Sequence, residues 1–210
     1  MGLLSLLFRN PVEFAIVALA LLYSIIAHEV AHGWVASLFG DDTARVHGRL
    51  TLNPLPHIDP VGAIMLLVAG FGWAKPVPVN YRRFERFRAG IISVALAGCV
   101  ANILIAAAAM VVLQFFAVQM NAGLTETFAT IARINIILGA FNLIPIPPLD
   151  GSRVLMAFLP QEMQYSLARI EPYGFFILIA LLFTGLLNPV ISFMQHAIFA
   201  LISVPFSLFR

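Results

Sequence analysis

Apolar and polar positions along this chain are segregated into long runs. Residues 11–39 are apolar almost throughout, and the acidic or imidazole side chains among them are Glu13, His28, Glu29 and His32. At 1.5 Å per residue, a helix over this run covers the roughly 30 Å of bilayer hydrocarbon. It predicts a first membrane span, with Asn10 at the N-cap, Pro11 at the first helical position and Gly40-Asp41-Asp42 as the stop. Apolar runs at 89–118 and 127–144 predict a second and a third span. The second is rich in alanine and glycine, which let helices approach closely.

Between the first two spans the period changes. Val46, Gly48, Leu50 and Leu52 alternate with His47, Arg49 and Thr51, which predicts a short strand. Pro54, Pro56 and Pro60 then break the chain. Residues 61–73 are apolar but number only about 13, against roughly 20 for a span. They predict a re-entrant segment; a full crossing would reverse the side from which the first span is approached. Residues 70–79, with Pro76 and Pro78, read as extended. The run 172–209 breaks at Asn188-Pro189 and is either a hairpin of two spans or one span plus an interfacial helix.

Composition fixes the class. The chain of 210 residues is 61% hydrophobic and 10% charged, whereas a soluble domain carries about 25% charged residues. The expected fold is an all-α polytopic membrane protein with four to five transmembrane helices and a short re-entrant or β-strand segment between the first and second spans. One transmembrane domain over 1–210 is expected, with a core at 11–153. The net charge of +2 does not point to nucleic acid, because Arg82, Arg83, Arg86 and Arg88 cluster in one loop. They orient the protein by the positive-inside rule. That places 41–88 and 152–171 in the cytoplasm and the loop 119–126, which has no Lys or Arg, outside. The N-terminal Arg9 and following apolar run look like a signal sequence, but cleavage would sever the first span, so it is read as uncleaved. The lone Cys99 excludes an intrachain disulfide.

The chemistry lies in the first span. His28-Glu29-Val30-Ala31-His32 is H-E-x-x-H: two histidines at i and i+4 share one helix face, with a carboxylate beside the first. Two imidazoles there can bind one zinc ion, and Glu29 can take a proton from water. His28 lies on the order of 25 Å along the helix, and ionisable groups at membrane depth point to function. A third ligand is required. Phe141-Asn142-Leu143-Ile144-Pro145-Ile146-Pro147-Pro148-Leu149-Asp150-Gly151 unwinds the third span and ends on a carboxylate. Asp150 is the best-placed oxygen in the chain, the alternative being a helix N-cap. His57-Ile58-Asp59 also offers a nitrogen and a carboxylate near the membrane surface. Asn102 reads as an interhelical hydrogen bond, Arg133 as a snorkelling or paired charge near the outer end of the third span, and His196 as packed or interfacial. A rival reading is a membrane metal transporter or metal-binding protein, with Glu29 as a ligand. It would need a polar path across the membrane, and Asn102, Gln114 and Asn135 are too few and scattered to show one.

With these residues in view, the chain resembles the site-2 protease family of intramembrane zinc metalloproteases (peptidase family M50). Two motifs carry the likeness: His28-Glu29-x-x-His32, and Asn142-x-x-Pro145-x-Pro147-x-x-Asp150-Gly151, about 120 residues apart on separate apolar segments. Gly48-Arg49-Leu50-Thr51-Leu52-Asn53-Pro54 and Gly72-Trp73-Ala74-Lys75-Pro76-Val77-Pro78-Val79-Asn80 are similar to its compact branch, which lacks PDZ and CBS domains. Cys99 departs from the Ala-Gly-Pro-x-x-Asn pattern common there. The resemblance implies one catalytic Zn2+ bound by His28, His32 and Asp150, activation of water by Glu29, and a substrate-binding role for Asn142. It implies that 45–53 and 70–79 gate the site or pair with an unwound substrate. The expected substrates are transmembrane-helix proteins in the lipid bilayer, cleaved in regulated intramembrane proteolysis. The expected location is the cell membrane, multi-pass, with the active site toward the cytoplasm. The sequence names neither the substrate nor the oligomeric state.

Overall fold

The structure is a computed structural model describing residues 3–69 and 72–207. Its helices are α1 (Leu3–Arg9), α2 (Pro11–Leu38), α3 (Thr43–Val46), α4 (Pro60–Ala69), α5 (Phe87–Phe116), α6 (Ala122–Asn142), α7 (Asp150–Met156), α8 (Gln161–Phe183) and α9 (Asn188–Ser207). Single 3₁₀ turns occupy Leu55–His57 and Tyr81–Arg83. Among the described residues three helices, α2, α5 and α6, are long and apolar enough to cross a membrane, and α8 with α9 forms a further apolar pair bent by 91°. The chain is an all-α, multi-pass membrane protein.

Local sequence explains the boundaries. The Asn10 side chain accepts the Glu13 N–H at 3.2 Å and Pro11 opens α2. Asn121 caps α6 in the same way, accepting the Leu124 N–H at 2.9 Å. The third span therefore starts about a turn earlier than its apolar run, and Arg133 sits near the middle of α6 instead of at its outer end. α4 has 10 residues, about 15 Å of helix, half the thickness of the hydrocarbon. The mixed segment after Asp150 is helical as well, forming α7 and the first half of α8.

The strand expected over 46–52 does not form; no strand occurs among the described residues. Thr43–Val46 is a helical turn, held by N–H bonds from Thr43 to Asp41 Oδ1 and from Arg49 to the Ala44 carbonyl. Gly48 then turns the chain at φ +64°. Seven alternating residues make a strand only where a partner strand supplies the ladder, and none lies alongside. The extended reading of 70–79 holds for 72–80, which has neither helix nor ladder; Gly70 and Phe71 lie outside the described residues.

α2, α5 and α6 pack together, and α5 turns small or neutral residues inward: Gly90, Ala95, Gly98, Cys99, Asn102 and Ala106 are all buried. Small side chains bring the backbones close enough for polar groups to meet across the interface. α9 closes the other side of α6, where Ala106, Ala140, Ile198 and Ile202 form an apolar cluster.

Candidate metal centre

His28 and His32 lie on one face of α2, one turn apart, and both are buried, at 6% and 8% exposure. Their rings meet edge to face at a centroid distance of 4.6 Å. The chain unwinds after Asn142 and re-enters a helix at Asp150, with Leu149 at the N-cap position. Asp150 is thus the first residue of α7 and its carboxylate is turned to the histidines. Asp150 Oδ2 lies 3.0 Å from His28 Nε2 and 3.2 Å from His32 Nε2. This close approach needs Gly151, because a Cβ there would fall 2.2 Å from the Leu143 carbonyl oxygen.

The far side of each imidazole is equally defined. His28 Nδ1 lies 2.6 Å from Asn102 Oδ1, and His32 Nδ1 lies 2.6 Å from the Val94 carbonyl oxygen. A carbonyl can only accept. Asn102 has no choice of orientation either. Its amide nitrogen donates to the Ser24 carbonyl at 3.3 Å and to Asn135 Oδ1 at 2.8 Å. Asn135 in turn donates to Ser24 Oγ and to the Ile131 carbonyl. Both Nδ1 atoms therefore carry a proton, and in the neutral imidazoles each Nε2 presents a lone pair. Two lone pairs and a carboxylate oxygen converge, all within 4.8 Å of one another. Asp150 Oδ2 is buried and has no hydrogen-bond donor of its own. Three acceptors facing one point are satisfied by a cation. Two imidazole nitrogens and a carboxylate oxygen, each backed by an outer hydrogen bond, are a zinc donor set.

Glu29 stands beside this cluster but outside it. Its Oε2 accepts the Val77 N–H at 2.8 Å, which draws it toward the extended 72–80 segment. That segment is pinned at intervals. The Lys75 N–H donates to the His57 carbonyl, the Arg49 guanidinium to the Lys75 carbonyl at 2.6 Å, and the Asn80 N–H to Asp41 Oδ2 at 2.6 Å. Burial alone would raise the Asp41 pKa. The bonds from Thr43 and Asn80 and the charge of Arg83 outweigh it and hold the carboxyl below the ordinary carboxylate range.

Two cavities meet at these groups. One, of about 330 Å3, is lined by His28, Glu29, His32, Tyr81, Asn142, Asp150 and Arg153. The other, of about 280 Å3, is bounded mainly by apolar side chains including Ile25, Trp73, Phe141, Phe175 and Leu178. They share His28, Glu29, Asn142 and Pro148. Asn142 therefore lies at the site, its amide nitrogen donating to the Leu138 carbonyl at 3.0 Å. Tyr81 and Arg153 were not anticipated, because both sit in segments that read as solvated surface. Burial pushes the Tyr81 phenol up, as does the Asp150 charge, while Arg153 opposes them. Tyr81 stays a hydrogen-bond donor at neutral pH. The Arg153 guanidinium stacks 5.3 Å from the Tyr81 ring centre and pairs with Glu171 at 2.9 Å.

The other candidates are placed elsewhere. His57 is buried, with Nε2 against the Thr51 carbonyl at 2.9 Å, and Asp59 caps α4 through the Gly62 N–H. Neither joins a metal-binding group among the described residues. His196 is exposed and bonds back to Ser192.

The family model for peptidase family M50 matches residues 117–185, which include the Asn142–Gly151 stretch. A Bacillus subtilis protein named "Putative zinc metalloprotease YwhC" is 42% identical over 175 residues, covering 80% of each chain. The chain belongs to peptidase family M50. A Mycolicibacterium smegmatis relative, "Putative zinc metalloprotease Rip2", is 33% identical over 83% of this chain and 69% of its own. The zinc metalloprotease MJ0392 of Methanocaldococcus jannaschii is 25% identical over 75% of this chain and 38% of its own. No solved structure matches significantly. Family and donor set agree: this M50 peptidase is a zinc metalloprotease, and the His28, His32 and Asp150 cluster can hold its metal.

Proposed function

We propose that this M50 peptidase hydrolyses peptide bonds within or near the transmembrane helices of membrane proteins. The observation that carries the reading is the placement of the cluster. Three ligand atoms converge between α2, a helix long and apolar enough to span a membrane, and the unwound end of α6. In this reading His28 and His32 bind zinc through Nε2, and Asp150 binds it through its carboxylate. Zinc, when bound, supplies an activated water and polarises the scissile carbonyl.

The chain's own groups do the rest. Glu29 accepts the proton from the attacking water and passes it to the leaving nitrogen. Asn142, at the junction of the two cavities, holds the substrate backbone. The mainly apolar cavity beside Trp73 and Phe175 receives substrate side chains, and the polar cavity beside Tyr81 and Arg153 admits water. The extended 72–80 segment offers a backbone edge to an unwound substrate. In this reading the protein lies in the cell membrane with its site toward the cytoplasm, and the cluster of arginines in 81–88 supports that side by the positive-inside rule. A transporter would use Glu29 as a ligand; instead Glu29 turns to Val77.

The test uses purified protein in detergent, a panel of single-span model substrates and a parallel zinc assay. Wild type cleaves. Glu29→Gln keeps zinc and loses cleavage, and Asp150→Ala loses both. Full cleavage by Glu29→Gln would refute the role given to Glu29; loss of zinc from that variant would favour the transporter.

A further inference from the structure

A second site lies away from the metal centre. α5, α6 and α9 leave between them an open groove of about 490 Å3, sharing no lining residue with the cavity around His28 and Asp150. Its walls are apolar: Met110 and Leu113 near the C-terminal end of α5, Ile136 on α6, and Phe199 on α9. They lie toward the end of α5 opposite the arginine-rich 81–88 segment. Two polar side chains interrupt this lining, Arg133 and Gln195. Neither makes a hydrogen bond or ion pair with any described residue.

That combination needs an explanation. A guanidinium stays charged in any environment and is costly within a span unless something anionic meets it. Arg133 sits near the middle of α6, on the face turned to the groove. Helical side chains lean toward their own N-terminus. An Arg133 guanidinium leaning that way points along the groove toward the Asn121 end, the direction from which a lipid headgroup of that leaflet would enter. The primary amide of Gln195, across the groove, adds two more donors. A forked cation plus an amide above an apolar trough is complementary to a phosphodiester carrying an acyl chain.

We propose that this groove binds a glycerophospholipid from the leaflet opposite the arginine-rich segment. Its phosphate meets Arg133 and Gln195, and one acyl chain lies along Met110, Ile136 and Phe199. The lipid joins α9 to the α5–α6 pair. Because α6 ends at Asn142, it also braces the helix that leads into the unwound segment before Asp150.

The test is photo-crosslinking of the full-length protein in nanodiscs of phosphatidylcholine containing phosphatidylglycerol with an acyl-chain diazirine, read by peptide mass spectrometry. Label is expected to concentrate on 110–113, 132–137 and 195–199. It falls about tenfold there in Arg133→Gln, the loss expected for one charge-assisted hydrogen bond. Ile137→Trp fills the trough from an exposed wall position without touching the charge and lowers labelling as well, and an unchanged helical circular dichroism spectrum in both variants separates lipid loss from misfolding. Substitution of Arg82, Arg86 and Arg88 by Gln leaves groove labelling unchanged. Label spread evenly over the lipid-facing helices, or groove label indifferent to Arg133→Gln, would overturn the proposal. So would displacement of the label by an added single-span substrate peptide, which would assign the groove to a helix.

Discussion

The candidate metal cluster of His28, His32 and Asp150 and the extended 72–80 segment lie on either side of Glu29 and are built in opposite ways. In the cluster every polar hydrogen is committed. Both histidine Nδ1 atoms, both hydrogens of the Asn102 amide and both of Asn135 have partners, and all of these groups lie on helices. The extended segment has no ladder. Its N–H groups donate separately to His57, Glu29 and Asp41, Arg49 donates to its Lys75 carbonyl, and Pro76 and Pro78 carry no N–H at all. For the proposed intramembrane hydrolase, the contrast separates two demands. The ligands must not move, because an orphaned imidazole in hydrocarbon is costly. The backbone proposed to meet the substrate must be able to exchange its bonds.

The largest effect is expected where the rigid part is overfilled. A Cβ on Gly98 would lie 2.5 Å from the His28 ring, so Gly98→Ala displaces a proposed ligand. Zinc affinity falls about 10–100-fold, as for loss of an outer-shell partner, and overpacking costs about 1–3 kcal/mol. Isothermal titration with zinc and thermal unfolding measure the two separately. Asn102→Ala has a similar affinity cost, about 10–100-fold, by leaving the His28 Nδ1–H and Asn135 Oδ1 without a partner. The sharper form of this test is that Asn102→Ala loses metal while the 72–80 segment keeps its hydrogen-exchange protection.

Breaking the other side gives the converse. Val77→Pro removes the one N–H that meets Glu29 in an already proline-flanked segment. Turnover falls about tenfold, the value of a hydrogen bond to a charged group, with zinc content unchanged. If zinc fell instead, the two regions would not be independent.

How much of this was legible in the sequence follows the same division. His28, Glu29 and His32 could be read because an i, i+4 spacing survives folding unchanged. Asp150 could be read because three prolines at 145–148 had to unwind a helix, and a carboxylate stood at the end of the unwinding. Asn102 was visible only as a polar residue in an apolar helix. That it fixes the proton on His28 depends on Asn135 and Ser24, on two other helices. The Val94 carbonyl is backbone, which carries no sequence signal. Tyr81 and Arg153 were hidden because charge-rich loops usually only orient a membrane protein. The strand over 46–52 was misread because alternation describes one chain, whereas a strand requires two.

The smallest effect expected is at the anchor of the extended segment. Asp41 is fully buried, and its carboxyl is held below the ordinary range. Its contribution to stability is complete above the unfolded carboxyl pKa of about 3.9 and is lost as pH falls through the lower folded value. Acid unfolding of wild type should steepen below about pH 4 relative to Asp41→Asn, with the two differing by a constant amount on the neutral side. Parallel acid titrations followed by circular dichroism check this.

The decisive property of the site is which atoms hold the metal. X-ray absorption at the zinc edge, on purified wild type and Glu29→Gln, reads that directly. The prediction is nitrogen and oxygen scatterers only, at about 2.0–2.2 Å and alike in both proteins. A sulfur scatterer at about 2.3 Å, which would bring in Cys99, or zinc lost from Glu29→Gln would contradict the ligand set His28, His32 and Asp150.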